Sequence, residues 1–105
     1  MIIEPLGQGV ASDTYSGTNL DEAVFVYCVD RRTTNGETSY IQIKNAAGGN
    51  VRSIAINNDT DGIIIRKAKT DIIYSTHSIT PDSATTNSVY FTKIADPYRD
   101  MMKRF

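Results

Sequence analysis

From Ala23 to Ile94 the chain alternates short β-branched or aromatic runs with breaks that carry Gly, Asn or Asp. The clearest unit is TSYIQIK-NAAGGN-VRSIAIN at 38–57, followed at once by GIIIRK at 62–67. Runs of this length and composition read as strands, and the breaks as turns. In Tyr40–Lys44, alternation sends Ile41 and Ile43 inward and Tyr40, Gln42 and Lys44 outward. The returning strand puts Arg52, Ile54 and Ile56 on one face, with Val51, Ser53 and Ala55 on the other. AVFVYCVD at 23–30 is apolar on both sides, as expected of a strand at the centre of a sandwich or at a subunit contact. Ile63–Ile65, Asp71–Ser75 and Ser88–Ile94 supply further strands. Val26, Ile43, Ile54 and Ile64 are the expected core.

The predicted fold is all-β: a small antiparallel β-sandwich of about six or seven strands. It divides into an N-terminal arm (1–22), a sandwich domain (23–95) and a C-terminal tail (96–105). The arm is polar and turn-rich, so it is expected to be disordered or to lie on a neighbour, with a short strand near Val10. In the tail, Asp96 can cap a helix and Pro97 suits its first position. Tyr98, Met101 or Met102, and Phe105 then share one stripe of a short helix.

A chain of 105 residues is one domain in size. The net charge of −1 provides no basic field for a phosphate backbone, so no nucleic-acid partner is expected. No apolar run reaches the length of a membrane span, and MIIEPLGQGV lacks the features of a signal peptide. Cys28 is the only cysteine, which rules out an internal disulfide and fits synthesis in a reducing cytosol.

Candidate chemistry is sparse. His77 is the only histidine, and no positioned partner for it is evident from spacing. One His and one Cys cannot complete a zinc site. Cys28 lies within an apolar strand and reads as a small hydrophobe rather than a nucleophile. Asn57, Asp59, Asp61 and Gly62 copy the first half of a calcium loop, but Ala68 stands where the bidentate acid should be. The expectation is therefore a non-enzyme with no cofactor and no metal. The clusters Arg31-Arg32, Arg66-Lys67-Lys69 and Lys103-Arg104 read as charge for solvation and ion pairing, the middle one also protecting a strand edge. Tyrosine is the main aromatic and suits buried interfaces. Tyr15, Leu20, Tyr98, Met101, Met102 and Phe105 are the candidate interface residues.

GTNL at 17–20, the apolar strand after it, IQIKNAAGGNVRSIAI and GIIIRKAKTDIIYS together resemble short virion structural proteins of tailed phages that infect marine and cyanobacterial hosts. The likeness, which covers roughly 14–76, is a pattern of strands and turns; Thr18-Asn19-Leu20 and Thr70-Asp71 carry it at the level of residues, the latter closing a basic–small–basic–Thr-Asp motif, Lys67-Ala68-Lys69-Thr70-Asp71. The resemblance implies a many-copy, non-enzymatic virion protein made in the host cytoplasm. Its partners would be the major capsid protein, other virion proteins or further copies of itself. The leading expectation is a capsid decoration or cement module. A neck or tail component is the alternative, and a carbohydrate-binding β module in host recognition is the alternative from another class.

Overall fold

The computed structural model describes residues 3–12, 17–31, 38–57, 62–76 and 89–98. Among them are seven strands and no helix: β1 (Val10–Ala11), β2 (Phe25–Asp30), β3 (Thr38–Lys44), β4 (Arg52–Asn57), β5 (Ile63–Arg66), β6 (Ile72–Thr76) and β7 (Val89–Ile94). They form two antiparallel sheets, ordered β1-β7-β2-β5 and β4-β3-β6.

The sheets share one core, in a sandwich-like arrangement. The first contributes Val26, Cys28, Val89 and Phe91, the second Ile41, Ile43, Ile56 and Ile73, with Leu20 and Ala23 between them. Register explains the sorting. Cys28 sits opposite both Ile63 and Phe91, so all three point inward, while Tyr27 pairs with Ile64 and Thr92 on the outer face. A buried hydrogen bond links the sheets where Ser39 Oγ donates to Asp30 Oδ2 at 3.1 Å.

Four expectations need correcting. Ile54 lies on the same face as buried Ile41, its cross-strand partner, yet it is 48% exposed. Alternation gives the direction of a side chain but not the extent of the opposite sheet, and β4 is an edge strand at the limit of that cover. Ile64 is half-buried on the outer face. Gln42 points away from the Ile41 side but is fully buried, its Nε2 donating to Thr76 Oγ1 at 3.2 Å. This sheet is therefore covered on both faces around β3 and β6, where Tyr74 is buried as well.

The fourth correction concerns the arm, whose described residues lie on the protein's own body. Leu6 N donates to the Lys93 carbonyl (2.8 Å), Ala95 N to that of Glu4 (3.0 Å) and Ser12 N to that of Val89 (2.9 Å). Further on, Thr18 and Ile73 exchange both backbone bonds, and Ser12 Oγ accepts the Ser75 amide at 2.9 Å. The segment thus passes from the β7 edge of one sheet to the β6 edge of the other. It has too few apolar side chains to make a core, but its backbone satisfies edges that would otherwise need other partners. At the other end, Asp96 Oδ1 accepts the Tyr98 amide at 2.9 Å, the bond expected of a capping aspartate, and no helix follows among the described residues. The rest of the proposed helix, 99–105, is outside the described residues.

Candidate functional site

The most unusual backbone lies just before β2. Leu20, Asp21 and Glu22 have φ of 55°, 54° and 57°, three successive L-residues in the left-handed region. Each costs about 1–2 kcal/mol against the right-handed form. The turn persists because its polar groups are met from several directions. Ala23 N donates to the carbonyls of Asn19 and Leu20, both at 3.2 Å. Thr18 Oγ1 accepts the Leu20 amide at 3.0 Å, and Asn19 Oδ1 accepts that of Glu22 at 3.4 Å. Two lysines complete the hold: Lys67 Nζ donates to the Asn19 carbonyl (2.9 Å) and Lys93 Nζ to that of Asp21 (2.8 Å).

Lys67 is the centre of this clamp. It is only 4% exposed, so the sequence reading of a solvated, edge-protecting charge fails for it. Its amide donates to the Val24 carbonyl at 2.8 Å, and Nζ also reaches the Ala68 carbonyl at 3.2 Å. Desolvation lowers its pKa, Asp71 opposes that shift and Lys93 adds to it. Asp71 in turn takes a 2.8 Å ion pair from Arg52, and this hydrogen bond holds its carboxyl below the usual value. Gly17 enters the turn at φ 72°, where a Cβ would lie 2.6 Å from Ile72 Cγ2 and 2.8 Å from the Ile73 carbonyl oxygen. Only glycine fits there.

The clamp joins two segments far apart in sequence. Thr18 and Asn19 lead into the left-handed turn of Leu20 to Glu22, and Lys67 holds it. Sequence reasoning recognised both segments and missed that they touch. The available signal was a lysine directly after an aliphatic strand, where a solvated charge is the ordinary reading.

Chemically the clamp holds backbone. The Lys67 ammonium is directed at the carbonyl oxygens of Asn19 and Ala68. Cys28 is fully buried and its thiol is pushed up to about 12 by desolvation, leaving it inert. Among the described residues no three His, Cys, Asp or Glu side chains gather as metal ligands. His77 and Asp59 to Asp61 lie outside those residues.

The candidate interface residues separate. Leu20 is 8% exposed and packs into the protein's own core, because the left-handed turn directs it inward. Tyr98 is 48% exposed on the surface. Tyr15, Met101, Met102 and Phe105 are outside the described residues. Tyr98 borders a shallow hollow of about 380 Å³ with Phe25, Ile64, Arg66 and Asp96. Phe25, Tyr27, Val29 and Tyr90 stand on the outer face of the first sheet, with the Arg31 guanidinium 5.9 Å from the Tyr90 ring centroid. Sequence had identified that both sides of β2 are apolar without assigning the outer one. A second hollow, of about 360 Å³, opens beside the clamp between Val10, Leu20, Ile73, Phe91 and Lys93.

The fold and site define a small two-sheet β module with an aromatic outer face. In comparisons with known proteins, no family model, curated protein or solved structure matches the chain.

Proposed function

We propose that the protein is a virion structural module, a decoration or cement subunit that binds an assembled capsid shell in many copies. The observation that carries this reading is the clamp. Thr18-Asn19-Leu20 and Lys67 to Asp71, the segments behind the resemblance to tailed-phage virion proteins, meet through the 2.9 Å bond from Lys67 Nζ to the Asn19 carbonyl. A motif spent on holding backbone geometry suits a rigid building block. The outer face of the first sheet, with Phe25, Tyr27 and Tyr90, supplies the kind of aromatic area that protein contacts use. A subunit that binds only the assembled shell stabilises that state by mass action.

Particles made without the protein are the test. They are expected to assemble, package DNA and keep their tails, but to burst at a lower temperature than complete particles. Loss of tails or failure to seal DNA would support a neck or tail component instead.

The hollow of Phe25, Ile64, Arg66, Asp96 and Tyr98 favours a second reading, a carbohydrate-binding module. An aromatic ring beside a guanidinium and a carboxylate can stack on a sugar ring and bond its hydroxyls. That reading expects the free protein to retain host polysaccharide on a column and Tyr98→Ala to abolish retention. Absence of retention by the parent protein would end it.

A further inference from the structure

The edge strands of the two sheets bring cations together at one place. β4, at the edge of one sheet, begins with Arg52. β5, at the edge of the other, ends with Arg66, and Lys67 follows directly. All three side chains line a single hollow of about 510 Å³, together with Val24, Ala68 and Asp71. Asp71 is the one acid in that lining, so two positive charges have no counterpart there. The chain as a whole has a net charge of −1, so the hollow is a local concentration of charge and not part of a general basic surface.

The donors of the hollow are only partly used. Arg52 gives Nη2 to Asp71 at 2.8 Å, and half of its side chain remains exposed. Arg66 is exposed, and among the described residues its guanidinium meets no acceptor. Lys67 differs from both. It is buried, bonds to two neutral carbonyls and pairs with no carboxylate among the described residues. Burial is the main reason its pKa is lowered; Asp71 offsets only part of that, and Lys93 adds to it. A buried ammonium facing neutral carbonyls alone is under-compensated. Two independent features therefore call for negative charge: unclaimed guanidinium donors at the mouth and an unpaired ammonium in the wall.

We propose that this hollow binds a doubly charged oxyanion, a phosphate or sulfate group, held between Arg52 and Arg66 beside Lys67. A carboxylate would balance one of the two charges, whereas a phosphate or sulfate group carries close to two. Its oxygens can also accept from two guanidinium forks at once, the contact to which arginine is suited. Lys67 need not move. It acts through space while its bonds to Asn19 and Ala68 stay in place. The inference rests on this hollow and does not depend on the virion or the carbohydrate reading.

Isothermal titration of the full chain with inorganic phosphate at low ionic strength tests it. Binding is expected to saturate at one phosphate per chain and to raise the melting temperature, because only the folded chain brings the two edges together. Sulfate should do the same, and chloride at matched ionic strength should not. Arg66→Gln should weaken phosphate at least about tenfold. It should leave the circular dichroism spectrum and the phosphate-free melting temperature unchanged, since Arg66 is exposed and unpaired. Asp71→Asn should act in the opposite direction, removing the competing carboxylate and freeing Arg52, so that phosphate binds more tightly. Lys69→Gln removes an equal charge from an exposed residue outside the hollow and should bind phosphate nearly as the parent does. Phenyl phosphate binding at least as tightly as inorganic phosphate would identify a monoester as the occupant, and the reverse order the free ion. Lack of saturable binding, equal stabilisation by chloride, or Arg66→Gln binding like the parent would overturn the proposal. So would a loss in Lys69→Gln as large as that in Arg66→Gln, or a folded Asp71→Asn that binds no more tightly than the parent.

Discussion

The two sides of the sandwich are finished in opposite ways. On the β7–β6 side, Glu4, Leu6 and Ser12 bond to the β7 edge and Thr18 to the β6 edge, and the left-handed turn clamped by Lys67 and Lys93 follows directly. On the β4 side the edge strand is exposed and Ile54 faces solvent from the core side of the sheet. The closed side spends strained backbone and a buried lysine to stay shut. The open side has no such closure and leaves Val51 and Ile54 exposed. A β module can thus close one edge with its own chain and leave another exposed.

The largest expected effect lies in the core behind the closed side. Phe91→Ala removes a fully buried ring and is expected to cost about 3–5 kcal/mol in denaturant melts. Ile54→Ala, on the open side, should stay within about 0.5 kcal/mol in the monomer. Equal costs would erase the distinction between the sides. Next comes Gly17→Ala, which forces a side chain into positive φ against Ile72 and the Ile73 carbonyl. About 2 kcal/mol or more is expected, with the Ile73 amide losing hydrogen-exchange protection first. If that amide stays as protected as the β3 amides, the closure is not held where the geometry places it.

Lys67→Met sharpens the comparison. It leaves the Asn19 carbonyl without its ammonium donor and should cost about 1–3 kcal/mol near neutral pH. The parent should also carry a pH signature. The folded pKa of Lys67 is lowered, so above it the unfolded chain binds more protons. Stability from this group therefore rises with pH between the lowered value and the ordinary 10.5. The rise should be missing from Lys67→Met when the two stability profiles are subtracted. The smallest effect belongs to Asp71→Asn. The depressed carboxyl pKa contributes stability that is present above 3.8 and lost as pH falls through the folded value. The acid limb of the parent should be steeper than that of the variant, and identical limbs would show that the Arg52 pair contributes nothing.

Much of the strand pattern was legible in the chain. The alternation of Tyr40 to Lys44, the NAAGGN reversal and the Ile63 to Ile65 run all correspond to observed strands and turns, because a period of two residues is a local property. The two apolar sides of β2 were legible as well. What failed was anything that depends on a distant cover. Ile54 and Ile56 have the same local pattern, and only one lies beneath the first sheet. Lys67 and Arg66 read alike as charge, and only Lys67 has the turn folded over it. Leu20 could not be placed without knowing that three residues would turn left-handed.

Sequence by itself determined an all-β body, its strand positions and the inward direction of most side chains, since these follow from steric and hydrophobic preferences within a few residues. The tertiary structure decided which edge is closed, which lysine is buried and how the two recognised segments meet. Those outcomes depend on contacts between residues as far apart as Asn19 and Lys67. The free energy of burying an ammonium or holding a left-handed turn is set by what the rest of the fold brings to it.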